Sequence, residues 1–314
     1  MATCGEAAVA AEPPTVSVVV PTRDRPEQLR RAVTAILGQR YQGPIECLVV
    51  FDQSDPDLPW PEAPPGRRLV LIRNQRTPGL AGARNSGILA ATGELVAFCD
   101  DDDEWLPEKL ARQVARLLAT PGSAVSTTGI LVRYQDRTIT RLAPTILVTH
   151  RQLLRSRLTE LHPSTVLARR RQLLDDIGLV DEQIPGSYAE DYEWLLRASR
   201  HAPVLAVPEP LAVIHWHQSS FFSDRWRTII AALTYLVDKH RELQQEPSGL
   251  ARIYGQIAFA HAALGERRPA RRWARRTLSL NRRERRAYLA IAISLGLVRA
   301  KTVVRMAHVA GKGI

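Results

Sequence analysis

Two acidic clusters and a pair of histidines are the side chains of this chain whose types and spacing could do chemistry. The first cluster, Asp100-Asp101-Asp102-Asp103, ends the apolar run Leu95–Cys99 and is followed closely by Trp105. Four adjacent carboxylates repel one another unless a cation neutralises them. Mg2+ and Mn2+ take oxygen ligands and leave coordination positions for substrate phosphates. A plain solvated loop can carry the same run, so the elements around it must decide. The second cluster, Glu190-Asp191, opens a segment in which Trp194, Leu195 and Ala198 share a helical face. Capping and the helix dipole alone favour acidic residues there. His215 and His217, two residues apart, fall on one face if the strand before them continues. That placement suits metal or phosphate contact.

The elements that would position these groups are legible ahead of them. Val16–Val20 is a β-branched strand stopped by Pro21, and Leu29, Val33, Ile36 and Leu37 mark a helix by their spacing. Ile45–Phe51 and Arg68–Ile72 are further strands, the first ending at Asp52. Gly79 opens a helix that stops near Gly93, Leu95–Cys99 is a fourth strand, and Pro107–Leu118 is a helix. This βαβ alternation predicts a parallel, doubly wound sheet. In such a sheet the loops after the strands lie along one edge, so Thr22, Asp52 and the aspartates converge on one crevice. Further on, Ala124–Thr128 and Ile130–Tyr134 read as two strands of a hairpin, and Leu205–Val207 and Leu211–Ile214 as short separate strands.

Charge divides the chain. Residues 223–314 carry 19 Lys and Arg against 6 Asp and Glu, net +13, leaving 24 against 26, or −2, for the rest of a +11 total. A near-neutral body would do chemistry while a basic helical tail meets something acidic. Cys4, Cys47 and Cys99 have no metal-type spacing and read as reduced thiols of a cytoplasmic protein. The N-terminus shows no secretion signal, residues 1–14 read as a loose leader, and the longest apolar run is too short to span a bilayer.

The ordered set Val18-Val19-Val20-Pro21-Thr22-Arg23-Asp24-Arg25, Val49-Val50-Phe51-Asp52, Gly79–Asn85, Phe98–Asp103, Gly178–Glu182, Glu190-Asp191-Tyr192 and His215-Trp216-His217 resembles glycosyltransferase family 2. The resemblance covers residues 15–222 and rests on the order of the motifs, since Asp-x-Asp alone is weak. It implies a GT-A-type α/β fold, a doubly wound mixed sheet flanked by helices, with residues 223–314 as an all-α extension. It also implies an inverting enzyme that uses a nucleotide-diphosphate sugar, a UDP-sugar above others, and a divalent cation, Mn2+ or Mg2+. Pro21, Thr22, Arg23, Asp24, Asp52, Arg84, Asn85, Asp100 and Asp101 would contact the nucleotide. Asp100, Asp102 and His217 would hold the metal. Asp191 would be the general base beside Glu190, and Asp103, Trp105 and His162 would face the sugar or acceptor.

Gln53-Ser54-Asp55 departs from the Asp-Gly-Ser that usually follows the base-binding aspartate, and His215 stands where arginine is common. No Gln-x-x-Arg-Trp element is present, which points to a non-processive enzyme rather than a polysaccharide synthase. The implied acceptor is a glycan or a lipid-linked envelope precursor, its choice resting on an irregular middle that includes Tyr134, Arg157 and His162. Two rivals are weaker. A nucleotidyltransferase would need a glycine-rich loop after the first strand, and Pro21–Pro26 has none. A silent nucleic-acid- or membrane-binding module would leave the carboxylates without work, and the tail has no specific nucleic-acid motif. Two readings of the basic tail stay open. It docks on an anionic membrane at the inner face, with Val298–Val309 in the interface, or its arginines pair with carboxylates of the body.

Overall fold

The computed structural model describes residues 12–56, 60, 62–216 and 225–309. Its centre is β1 (Val16–Thr22), buried along its whole length. β1 pairs in parallel with β2 (Ile45–Phe51) on one side and with β4 (Leu95–Phe98) on the other, and β2 pairs in parallel with β3 (Arg67–Arg73). The successive side chains of β1 alternate between two cores, as a strand covered on both faces requires. Val16, Val18 and Val20 pack with Leu29, Val33 and Ile36 of α1 (Pro26–Leu37), while Val19 packs with Ile88 of α2 (Leu80–Ala90).

Beyond β4 the sheet turns mixed. β5 (Glu104–Trp105), α3 (Lys109–Leu118), β6 (Val125–Tyr134), β7 (Arg137–Arg141), β8 (Leu147–Val148), α4 (His150–Arg155), β9 (Leu167–Arg169), the short turn α5 (Arg170–Gln172), α6 (Glu190–His201) and β10 (Val204–His215) follow in order. The sheet runs β3-β2-β1-β4-β9-β6-β10-β5, with β7 on β6 and β8 on β10. β9 is antiparallel to both β4 and β6, whereas β6 and β10 are parallel.

Two expectations need correction. Residues 125–134 form one strand, not a hairpin; the hairpin joins Tyr134 to Arg137. Gly129, the residue between the two expected strands, is a place of close approach. A Cβ there would sit 2.3 Å from a Leu142 methyl and 2.9 Å from the Arg141 carbonyl oxygen. Likewise 204–215 is one strand, its register shifting around Pro210 rather than ending there.

The chain then turns helical: α7 (Trp226–Lys239), α8 (Pro247–Ala263), α9 (Arg267–Leu280), α10 (Arg285–Ser294) and α11 (Ala300–Val309). The core is continuous into this region. Ile229 and Leu233 of α7 and Ile253 and Ile257 of α8 belong to the cluster that holds Phe98 and Trp194. α8, α9 and α10 pack through Ala258, Ala262, Ala270, Ala274, Ala287 and Ala290, small side chains that let helices approach closely. No helix among the described residues is long and apolar enough to cross a membrane.

Candidate active site

The two acidic clusters meet because of what lies next to each. Phe98, two residues before Asp100, and Trp194, three after Asp191, stack edge to face with centroids 5.8 Å apart. This contact sets the N-terminus of α6 against the end of β4. A cavity of about 880 Å³ opens there, lined by Thr22, Asp52, Asp100–Asp103, His162 and Glu190-Asp191 among others.

At one end, Asp52 is anchored rather than free. Its backbone N–H donates to the Thr22 carbonyl, and its carboxylate accepts from Asn74 Nδ2 (2.8 Å), the Gly79 N–H (3.0 and 3.1 Å) and Gln53 Nε2 (3.1 Å). Gln53, where the family pattern has aspartate, thus becomes a donor to its neighbour. Thr22 Oγ1 donates to Asp101 at 2.7 Å, so the loops after β1 and β4 are joined directly. Pro21, Arg23 and Asp24 line the same end, and Asp24 adopts a positive φ of 54°.

The aspartates divide by partner. Arg25 reaches Asp101 at 3.1 Å and Asp102 at 2.8 Å. Burial, then the charge of Asp102, push Asp101 up to about 6 against the Thr22 hydrogen bond and Arg25. Asp103 is fully buried and accepts from Ser164 Oγ; burial and the charges of Asp102 and Asp100 hold it well above the usual carboxylate range. That is the electrostatic state a bound cation would relieve. Asp100, Asp103 and His162 each offer a ligand atom, all within 4.8 Å of one another. Burial pushes His162 down, favouring the neutral imidazole that ligates metals. Two carboxylates and a neutral imidazole fit a divalent ion of the Mn2+ kind. This donor set differs from the one read in the sequence: Asp102 turns to Arg25, and His217 lies outside the described residues. His215 pairs instead with Glu104 at 2.9 Å.

Arg84 ties the clusters together from below. Its side chain is 2% exposed, with Nη2 2.6 Å from Asp100 Oδ1 and Nη1 bonded to Glu190. Burial and the charge of Asp191 push Glu190 up to about 7, although Arg84 opposes them. Asn85 is a structural peg, exchanging hydrogen bonds with the Val180 backbone and donating to Glu182. Trp105 is buried, its indole N–H donating to the Ser164 carbonyl at 2.7 Å.

Asp191 is paired with Arg157, which the sequence offers only as part of the acceptor-choosing middle and not as a partner of this carboxylate. Arg157 Nη2 lies 2.8 and 3.0 Å from its two oxygens. Burial alone would raise Asp191, but the Arg157 charge and hydrogen bond outweigh it and hold the carboxyl below its ordinary value. Arg25 and Ser164 went unassigned. Arg25 follows directly on Pro21-Thr22-Arg23-Asp24, which is a signal; Ser164 has none.

An α/β sheet whose strand ends gather carboxylates, an imidazole and a nucleotide-sized cavity fits the GT-A-type fold that the sequence resemblance implies. The sequence of residues 17–178 matches the model for glycosyl transferase family 2, and the chain belongs to that family. It is 31% identical over 104 residues to the Escherichia coli UDP-Glc:alpha-D-GlcNAc-diphosphoundecaprenol beta-1,3-glucosyltransferase WfgD, a match covering 33% of this chain and 41% of that protein. The chain therefore spans about two fifths of that relative's length. Among solved structures, the mannosyltransferase PcManGT from Pyrobaculum calidifontis in complex with GDP-Man and Mn2+ is similar with a TM-score of 0.59 and 21% identity, over 95% of this chain and 86% of that one. S. aureus TarS 1-349 in complex with UDP-GlcNAc is similar with a TM-score of 0.54 and 18% identity, over 95% and 92%.

Proposed function

We propose that this protein transfers a single sugar from a nucleotide-diphosphate sugar to an acceptor hydroxyl, with inversion at the anomeric carbon. One observation carries the reading. Thr22 and Asp52, the Asp100–Asp103 and His162 group, and Asp191 all line one cavity of about 880 Å³, large enough for donor and acceptor side by side. The name of the E. coli relative specifies a UDP-sugar and a diphosphoundecaprenol-linked acceptor. By analogy we assign a UDP-sugar donor and a glycan or lipid-linked acceptor here.

In this reading Pro21, Thr22 and Asp52 receive the nucleotide. Asp100, Asp103 and His162 would hold a divalent cation, which would supply Lewis-acid stabilisation of the leaving diphosphate. Asp191, kept ionised by Arg157, accepts the acceptor hydroxyl proton as oxygen attacks the anomeric carbon. The new C–O bond forms on the face opposite the diphosphate, the old C–O bond breaks, and a nucleoside diphosphate leaves. Arg84, bonded to both Asp100 and Glu190 in the wall of the cavity, holds the two carboxylate groups at fixed separation.

The test is a thermal-shift panel of nucleoside diphosphates with and without Mn2+, followed by donor turnover. A ligand present at 100 times its dissociation constant stabilises by about 2.7 kcal/mol. Uridine diphosphate should shift the midpoint only with Mn2+, and Asp191→Asn should keep that shift while losing about 10²–10⁴-fold in transfer. No shift with any nucleoside diphosphate would end the proposal.

A further inference from the structure

The cavity accounts for the acidic clusters but not for the chain's charge. Between 267 and 309, thirteen Lys and Arg stand against a single acidic residue, Glu284, and Glu284 is already paired with Arg286 at 2.9 Å. Arg268, Arg272 and Arg275 of α9, and Arg299 and Lys301 about the start of α11, are exposed. Among the described residues none of these five forms an ion pair, so the arginines do not serve as a clamp onto carboxylates of the catalytic body.

A second observation stands beside the first. The turn between α10 and α11 and the face that follows expose large apolar side chains: Leu295 at 54%, Leu297 at 72%, Val298 at 41% and Met306 at 66%. Arg271 of α9 donates to the Ser294 hydroxyl at 3.0 Å and to its carbonyl at 3.2 Å. The basic helix is thereby fixed against the residue that precedes the apolar turn, which brings its cations to that turn.

We propose that this region docks on an anionic lipid bilayer, with the 295–298 turn and Met306 at the headgroup–acyl boundary and the arginines against negative headgroups. Exposed apolar side chains rimmed by cations suit an interface that is both oily and negative. A nucleic acid would satisfy the arginines but gives Leu297 and Met306 nothing to enter. The inference goes beyond the reading of the cavity and does not depend on it.

The experiment is co-sedimentation of the full chain with vesicles of phosphatidylcholine alone or of three parts phosphatidylcholine to one part phosphatidylglycerol. Binding is expected to the mixed vesicles only and should weaken with salt. Neutralising Arg268, Arg272 and Arg275 to Gln should lower partitioning about fivefold each, roughly a hundredfold together. Leu297→Ser with Met306→Ser leaves the charge intact and should still lower it at least tenfold, a loss that a purely electrostatic site would not show. The nucleoside-diphosphate thermal shift, read on the same samples, should be unchanged in every variant, which separates failure of docking from failure of the donor site. No sedimentation with mixed vesicles at low salt would overturn the proposal. So would unchanged partitioning of the serine variant together with tight binding of single-stranded RNA.

Discussion

Arg157 Nη2 lies within 3.0 Å of both carboxylate oxygens of Asp191, joining the segment after α4 to the first turn of α6. The pair gives the acidic residue at this helix start a fixed orientation that a cap alone would not need. It also makes Asp191 a weaker base than a lone carboxylate, since its conjugate acid is harder to form.

Replacing Arg157 by Gln removes the charge that holds Asp191 down, so its pKa rises. In the proposed mechanism the base must be ionised, and the acid limb of the pH–rate profile should therefore move to higher pH. The rate on the plateau should also fall, because orientation is lost. An acid limb that stays in place would separate Asp191 from the proton transfer.

Asp103 and Asp102 should differ as asparagines. Asp103 belongs to the group that converges with Asp100 and His162, whereas Asp102 faces Arg25. Calorimetry should show Asp103→Asn weakening Mn2+-dependent nucleoside-diphosphate binding by at least tenfold, and Asp102→Asn by less. Without metal, Asp103→Asn removes a carboxyl whose ionised form is disfavoured by burial and by Asp102 and Asp100, and at neutral pH it should unfold at a higher temperature than the parent. The reverse order of affinities would return the metal to the Asp-x-Asp pair that the motif suggests.

The sequence makes the first half of this site readable because each element there carries its own signal. The valines of β1 and the apolar run before Asp100 are strands by composition, and parallel connections bring their ends together whatever the side chains do. What it hides depends on contacts between distant segments. Arg84 reads as a nucleotide contact, and only the structure shows that it also bonds Asp100 and Glu190, the latter 106 residues along the chain. Gly129 falls between the two expected strands, and only the approach of Leu142 and Arg141 explains it. Arg157 lies in a stretch without periodicity, beside Leu158 at a positive φ of 46°, so no pattern points to its partner.

Stability at low pH should depend on Glu193, fully buried on α6. Burial alone would raise its pKa, but hydrogen bonds and charge from His240, Arg197 and Lys239 hold it well below the ordinary value of 4.5. A lowered pKa contributes stability above the unfolded value that is lost as pH falls toward the folded one. The parent should therefore lose stability below about pH 4.5 faster than Glu193→Gln, by up to about 1.4 kcal/mol per pH unit. At neutral pH the glutamine variant should be the weaker by up to about 3–5 kcal/mol, because the buried Arg197 and His240 lose a charged partner, while Lys239 keeps Asp181. Denaturant titrations at several pH values measure both.

The continuity of the core into the C-terminal helices can be tested at one atom. Gly249, in the first turn of α8, faces α4 so closely that an added Cβ would sit 1.8 Å from the Leu154 carbonyl oxygen and 3.1 Å from the Arg155 Cα. The obstacle is backbone, which cannot turn aside as a long side chain would. Nearby, Arg151 and Arg155 both pair with Glu246, the residue before α8, so the two helices are held together on either side of the glycine. On an exposed helix, glycine to alanine gains about 0.5–1 kcal/mol. Here the overlap should outweigh that gain and destabilise the fold by about 1–3 kcal/mol. If α8 instead belonged to an independent helical unit, Gly249→Ala would unfold the C-terminal helices in a separate transition and leave the nucleoside-diphosphate thermal shift unchanged. A single cooperative transition at lower denaturant is the outcome the shared core requires, because Ile253 and Ile257 of α8 pack in the same cluster as Phe98 and Trp194.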